Sequence, residues 1–139
     1  MADGFTYCQP VRIVYGENSL RRLGELFAQL KLTRCVLVCD PFFAGRARDL
    51  QRENPQIAAV FSRIAPNPQL AGAQAAAALA RTVNAQAIIG LGGGSALDTA
   101  KFAAAIAPDA SSAEMYYASA AFPDNGLAII AIPTTAGTG

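Results

Sequence analysis

The segment that most constrains the fold is a glycine-rich stretch between two apolar patterns. Residues 90–101 have the sequence GLGGGSALDTAK; they follow the apolar run 87–89 and lead into an alanine-rich stretch. This order predicts a strand, a tight glycine turn and the start of a helix. The backbone N–H groups of such a turn point to one place, with the positive end of a helix dipole behind them, and so favour an anion such as phosphate.

The consecutive glycines 92–94 can adopt positive φ, and because they lack Cβ they let a ligand approach the backbone. Ser95 is a good N-cap residue with Asp98 three positions later, so helix capping alone is the alternative role of that pair. The stretch matches neither the dinucleotide fingerprint GxGxxG, which needs glycine at Ser95, nor the Walker A pattern, which needs glycine before Lys101. By itself the turn therefore predicts an anion site without naming its ligand.

A second glycine- and hydroxyl-rich segment follows another apolar run. Residues 127–132 predict a buried strand, which Pro133 ends because proline cannot donate to a sheet. The sequence TTAGTG at 134–139 then offers donors to phosphate or ribose oxygens, with an ordinary polar turn as the alternative. Because ligands of open α/β sheets bind at the carboxyl ends of strands, two such loops predict a nucleotide site at that edge.

The rest of the chain repeats the alternation of strand and helix. Continuous apolar strands alternating with helices predict an α/β fold, a Rossmann-like parallel sheet covered by helices on both faces. A β-hairpin is predicted first, over 5–15, and a loop with a short helix at 113–117 is predicted over 108–125. The predicted strands are 35–39, 57–61, 87–91 and 127–132, and the predicted helices are 19–31, 45–52, 69–84 and 95–106.

Composition limits the classes of function. A chain of 139 residues is long enough for one domain with a proper core. A net charge of +1 with 15% charged residues gives no basic face for nucleic acid. The first residues lack the basic and apolar regions of a signal peptide, and the longest uncharged stretch is too short to span a bilayer, so we expect neither a signal peptide nor a membrane span. The three cysteines form no CxxC pair. Cys35 and Cys39 lie at the two ends of a predicted apolar strand, which favours buried free thiols in a reducing cytosol. The chain has no histidine, so the usual general base and metal ligand are missing, and we expect no catalytic residue and no metal ligand in it.

Together, the segments GGGSALDTAK at 92–101 and IPTTAGTG at 132–139 resemble the amino-terminal half of the iron-containing (group III) alcohol dehydrogenase family. Weaker similarities are the spacing of Phe5, Pro10 and Tyr15 near the start and the sequence PNP at 66–68. Family members often carry proline where this chain has Ala96, and both residues suit the first turn of a helix.

The resemblance implies that residues 1–139 are the dinucleotide-binding domain of an NAD-dependent enzyme. That enzyme would interconvert a short-chain alcohol and its aldehyde or ketone by hydride transfer, as a cytoplasmic homodimer or higher homo-oligomer without nucleic-acid or membrane partners. Its Fe²⁺, or Zn²⁺, would be bound by a helical second domain outside this chain, so the chain alone is expected to be inactive. The alternatives are a zinc enzyme similar to glycerol dehydrogenase or dehydroquinate synthase, and a non-catalytic nucleotide-binding module.

The resemblance also places the cofactor-binding residues. Asp40, after the strand at 35–39, would bind the adenosine ribose and favour NAD over NADP, with an exposed turn residue as the alternative. Asn67, between two prolines, would lie near the cofactor or serve the turn alone. The pyrophosphate would be held by Gly93, Gly94 and Ser95, the nicotinamide end by Asp98, and the nicotinamide ribose and phosphate side by Thr134, Thr135 and Thr138.

Overall fold

The computed structural model describes residues 10–65, 70–109 and 125–135. In these ranges the strands are β1 (Cys35–Cys39), β2 (Ile57–Phe61), β3 (Ala87–Gly92) and β4 (Ala128–Pro133). The α-helices are α1 (Leu23–Gln29), α2 (Ala44–Glu53), α3 (Leu70–Thr82) and α4 (Gly94–Ile106). Short 3₁₀ turns, Ser19–Arg22 and Pro41–Phe43, lead into α1 and α2.

The four strands form one parallel sheet in the order β2-β1-β3-β4. From β1 the chain first passes through α2 to β2 on one side, then returns through α3 to β3 on the other side of β1. The chain therefore leaves β1 and β3 in opposite directions along the sheet. In open α/β folds such a switch point opens a crevice at the carboxyl ends of the two strands, where ligands bind.

Helices cover both faces of the sheet, as the sequence predicts. Val36 and Val38 of β1 pack in a core cluster with α3 and α4, whereas Leu37 packs in a second cluster with Phe27 of α1 and Leu50 of α2. Every residue of β1 and β3 is buried, which explains their continuous apolar sequences.

Alanines bring α4 close to the sheet. Buried alanines line the inner sides of α3 and α4, and a Cβ placed on Gly90 of β3 would lie 2.9 Å from the Cβ of Ala100. Such a distance leaves no room for a side chain at position 90. The close packing fixes the beginning of α4 directly beside the carboxyl end of β3.

Element boundaries differ from the prediction at several ends. The helix predicted over 19–31 begins as a 3₁₀ turn and its α-helical part ends at Gln29, with Lys31 in the left-handed region at φ 54°. The helix predicted to begin at Ser95 begins at Gly94, and the strand predicted to end at residue 91 includes Gly92. The predicted buried strand at 127–132 is β4, which includes Pro133 and is exposed or half-buried along its length; as an edge strand of the described sheet it tolerates proline. The ends at Gly92 and Gly94 shift because glycine permits backbone conformations that the hydrophobic period does not encode.

Two predicted elements fall partly or wholly outside the described residues, and the described half of the predicted hairpin is not a strand. Of the hairpin predicted over 5–15, residues 10–15 are described; they are exposed and carry no assigned strand. The short helix predicted at 113–117 lies wholly outside the described ranges. Among the helices that the structure does describe, none combines the length and hydrophobicity needed to cross a membrane.

Candidate functional site

The loops singled out in the sequence meet at the carboxyl edge of the sheet. Asp40 directly follows β1, and Gly93 directly follows β3, its neighbour in the sheet. On the other side of β3, the backbone N–H of Thr134 donates to the carbonyl of Gly92 at 3.0 Å. The switch point thus carries one carboxylate, the glycine turn and the first threonines of the last loop.

Gly92 provides the sharp change of direction after β3. Its φ is +146°, in the region that residues with a side chain rarely adopt. A Cβ there would overlap the Oδ2 atom of Asp40 and would lie 2.8 Å from the Cβ of Ala96. Of the three consecutive glycines that can adopt positive φ, Gly92 alone does so in this turn.

The N-cap of α4 is Gly93, in an extended conformation with φ −80° and ψ −170°, and no side chain caps the helix. Ser95 already lies in the first turn, so the predicted capping pair of Ser95 and Asp98 is wrong. The Ser95 carbonyl instead accepts a hydrogen bond from the Thr99 hydroxyl at 2.7 Å. Since the first N–H groups of a helix have no intrahelical acceptor, those of Gly94 and Ser95 remain to bind a ligand.

Asp40 is half-buried and directed at the glycine turn. Its Oδ2 accepts a hydrogen bond from the backbone N–H of Gly93 at 3.1 Å. The Asp40 carbonyl accepts from Phe43 at 2.9 Å, which starts the 3₁₀ turn before α2. The carboxylate is therefore held at the mouth of the switch point rather than free in solvent.

Of the two described threonines in the loop after β4, Thr135 has the side chain that lies nearer to the glycine turn. The Thr135 Cγ2 lies 3.6 Å from the position that a Cβ on Gly93 would take, and both Thr134 and Thr135 are exposed. Asn67 and Thr138, the other two expected ligands in loops, lie outside the described residues. The structure thus brings Asp40, Gly93, Gly94, Ser95, Thr134 and Thr135 to one edge.

Asp98 is placed differently. It lies one turn into α4 with an exposed side chain, and its Oδ1 is 3.7 Å from the Nζ of Lys101, which is similarly exposed. This surface ion pair, screened by water, orients the carboxylate only weakly. Among the described residues, the ion-pair partner of Asp98 therefore belongs to its own helix and not to the glycine turn.

Sequence reasoning missed the hydrogen bond between Asp40 and Gly93 and the specific need for glycine at position 92. Three consecutive glycines do not reveal which one carries positive φ. It also missed a cavity of about 300 Å³ on the α3 and α4 side of the same edge. That cavity is lined by Phe61, Arg63, Ile64, Ala65, Ala71, Gly72, Ala75 and Thr99, and the Arg63 guanidinium lies 5.5 Å from the centre of the Phe61 ring.

The two described thiols lie at opposite ends of β1, and only Cys39 is next to the site. Cys35 and Cys39 are free and fully buried at the two ends of β1, as expected from the sequence. Burial raises the pKa of each thiol from 9.0 to about 11. Burial that favours the protonated thiol lowers its reactivity as a nucleophile. No group of three or more potential metal-ligating side chains occurs in the ranges that the structure describes.

The parallel sheet, with a glycine turn and a helix N-terminus at its switch point, defines a Rossmann-like α/β domain. The chain belongs to the iron-containing alcohol dehydrogenase family, whose model matches residues 10–139. The resemblance seen in the two glycine-containing segments is thereby confirmed.

Individual relatives agree with this assignment. Over 132 residues the chain is 41% identical to long-chain-alcohol dehydrogenase 1 of Geobacillus thermodenitrificans, which covers 89% of the chain and 33% of that protein. It is 28% identical to alcohol dehydrogenase 4 of Saccharomyces cerevisiae, over 95% of the chain and 36% of that protein. The chain thus spans about a third of the length of these curated relatives.

A solved structure extends the agreement to the backbone. Sulfoacetaldehyde reductase from Bifidobacterium kashiwanohense, crystallised in complex with NAD⁺, superimposes with a TM-score of 0.90 at 32% identity. The match covers 98% of this chain and 37% of that protein. The described sheet and helices therefore have the family's fold.

Proposed function

We propose that this chain binds NAD(H) across the carboxyl ends of β1 and β3, as the cofactor-binding domain of an alcohol dehydrogenase. The observation that carries the proposal is the meeting of Asp40 and the glycine turn at the switch point, where open α/β sheets bind nucleotides. The NAD⁺ complex of a family member with the same fold supports the choice of cofactor.

The described residues fit a dinucleotide. The exposed Gly94 and half-buried Ser95 carry first-turn amides for the pyrophosphate, with Gly93 beside them. Asp40 would accept from the adenosine ribose hydroxyls, and its charge would repel the 2′-phosphate of NADP. Thr134, Thr135 and Thr138 would line the nicotinamide ribose and phosphate side. Asp98 would lie toward the nicotinamide, and Asn67 would lie near the cofactor.

Bound NAD⁺ would supply a nicotinamide ring that accepts hydride from an alcohol. The role of this chain is to bind and orient that ring at the edge of the sheet. The described residues do not form a set of metal ligands, so no step is assigned to iron or zinc through them. The wider proposal is an enzyme that interconverts a short-chain alcohol and its aldehyde or ketone in the cytoplasm, as a homo-oligomer. Relatives named for long-chain alcohols and for sulfoacetaldehyde support an alcohol–carbonyl reaction.

Calorimetric titration of the chain with NAD⁺ and with NADP⁺ tests the cofactor assignment. We expect one site with NAD⁺ bound more tightly, and a preference that is lost in Asp40→Gly because the repulsion of a 2′-phosphate disappears. Asp49→Gly is the matched control, because it removes the same charge from the exposed, Arg52-paired face of α2. Absence of binding, or an equal loss of preference in both variants, would contradict the proposal.

A further inference from the structure

The three amides of the glycine turn are not equivalent. The Gly93 N–H donates to the Asp40 carboxylate at 3.1 Å, whereas those of Gly94 and Ser95 lie in the first turn of α4 without an intrahelical acceptor. An amide has one hydrogen, so the N–H that is bonded to Asp40 is not available to a phosphate oxygen. The next amide, that of Ala96, belongs to a fully buried residue.

The hydrogen bond also limits what Asp40 can do. With Oδ2 already accepting from Gly93, Oδ1 is the oxygen that keeps its full capacity to accept from ligand hydroxyls. The space around the Asp40 carboxylate is narrow, since even a Cβ on Gly92 would overlap Oδ2. The charge of Asp40 is therefore fixed at one point of the crevice before any ligand arrives.

We propose that the backbone amide of Gly93 is a positioning donor for Asp40, so that the first amide of the turn sets dinucleotide specificity and the amides of Gly94 and Ser95 bind the pyrophosphate. The inference rests on the proposed NAD(H) site, and it assigns different roles to adjacent residues of that site. In this arrangement, glycine is needed at position 92 because a side chain there would exclude the Asp40 carboxylate, and not because it would exclude the phosphate.

Two proline substitutions separate the roles, because each removes a single N–H at a position whose backbone suits proline. At Gly93 the ring Cδ also takes the place of the hydrogen directed at Asp40 Oδ2, so the carboxylate is displaced as well. Gly93 has φ −80°, within the range of proline. Gly94 is the first residue of α4, where proline is favoured, and the extended Gly93 before it suits a following proline. Gly93→Ala keeps the N–H and adds a Cβ in ordinary contact with Thr135, so it controls for added bulk.

Dissociation constants for NAD⁺ and NADP⁺ are measured by calorimetry on the chain and each variant. We expect Gly93→Pro to weaken NAD⁺ binding selectively and to reduce the preference for NAD⁺ over NADP⁺ by roughly tenfold, the value of a hydrogen bond to a charged group. Gly94→Pro should weaken both cofactors by a similar factor and keep the preference. Gly93→Ala should keep the preference whatever its absolute affinities.

Nuclear magnetic resonance of the unsubstituted chain provides a second test that does not depend on a variant folding. On titration with inorganic pyrophosphate, the amide signals of Gly94 and Ser95 should shift while that of Gly93 stays in place. In Asp40→Ala the Gly93 signal should begin to respond. If the unsubstituted chain binds neither dinucleotide, the proposed function fails. If it binds NAD⁺ but Gly93→Pro and Gly94→Pro weaken both cofactors equally, or if the Gly93 signal follows pyrophosphate in the unsubstituted chain, the division of labour is overturned and the site stands.

Discussion

Gly92 is needed both for the backbone conformation after β3 and for the position of the Asp40 side chain. Its positive φ turns the chain from β3 into α4, and its missing Cβ leaves room for the Asp40 carboxylate. Gly93 and Gly94 have neither feature in the chain itself, although a ligand approaching them would still benefit from bare backbone.

Replacing Gly92 with alanine should therefore destabilise the chain far more than replacing Gly94. We expect Gly92→Ala to cost at least about 2 kcal/mol, from the strained φ and from the overlap with Asp40 and Ala96. Gly94→Ala, with no atom within 4 Å of the new Cβ, should change the free energy of unfolding by less than about 0.5 kcal/mol. Urea denaturation of both variants measures the difference, and similar stabilities would contradict the account of the turn.

The buried thiols predict a loss of stability in alkali. Burial raises the pKa of Cys35 and Cys39 from 9.0 to about 11, with Asp40 adding to the effect at Cys39 and Arg48 opposing it. An unfolded thiol ionises from pH 9 upward, whereas the folded thiol stays protonated until about pH 11. Their contribution to stability is therefore intact below pH 9 and is lost as the pH rises through this window.

We expect the free energy of unfolding to fall by about 2–5 kcal/mol more between pH 9 and 11 in the unsubstituted chain than in a Cys35→Ala/Cys39→Ala variant. Comparison with this variant removes the contribution of lysines and tyrosines, which titrate in the same range. Denaturant melts at several pH values give the two slopes. Equal slopes would show that the thiols ionise as readily in the folded chain as in the unfolded one.

At the scale of elements, the helix that carries the site is secured at its far end by Arg81 of α3. The Arg81 Nη1 donates to the carbonyls of Ile106, Ala107 and Asp109 at 3.5, 3.2 and 3.5 Å. These carbonyls lie at the carboxyl end of α4, where a cation complements the helix dipole.

We expect Arg81→Ala to lower stability by about 1–2 kcal/mol, because the end carbonyls lose a charged donor and the dipole loses its cation. Arg46→Ala is the control, since it removes an arginine from an exposed ion pair with Glu53 at 3.4 Å and should cost less than about 0.5 kcal/mol. Thermal unfolding followed by circular dichroism compares the two. An Arg81→Ala variant as stable as Arg46→Ala would mean that these hydrogen bonds contribute nothing.

The sequence predicted the bounds of two strands more closely than it predicted how the strands pair. The apolar runs at 35–39 and 57–61 matched β1 and β2 residue for residue, although only β1 is fully buried and β2 is buried chiefly at its two ends. Neither the order β2-β1-β3-β4 nor the Asp40–Gly93 hydrogen bond follows from such runs, since hydrophobicity shows that a strand is buried but not beside which partner. The first turn of α4 was misplaced because capping by Ser95 and capping by Gly93 are both compatible with GGGS.

The described segment 10–15, before α1, has apolar side chains exposed to solvent, which bears on how whole molecules associate. Val11, Ile13 and Tyr15 are exposed, Tyr15 almost completely. Exposed apolar residues close together in a chain favour association, and a homo-oligomer is part of the proposed function. We expect the chain to sediment as a dimer at tens of micromolar, held together through this segment.

An Ile13→Asp/Tyr15→Asp variant should shift that dimer to monomer, because each carboxylate would be buried without a partner at the contact. Phe42→Asp is the control, since Phe42 is a similarly exposed large apolar residue in the 3₁₀ turn before α2. Sedimentation velocity separates the species. A monomeric unsubstituted chain, or a dimer that survives the double substitution, would exclude this contact.

The central claim is that a dinucleotide binds at the switch point between β1 and β3. A crystal structure of the chain with NAD⁺ tests it most directly. The account predicts pyrophosphate oxygens about 3 Å from the backbone nitrogens of Gly94 and Ser95, and an adenosine ribose hydroxyl at the same distance from Asp40. A dinucleotide bound elsewhere, for instance in the cavity lined by Arg63, with the glycine turn empty, would contradict it.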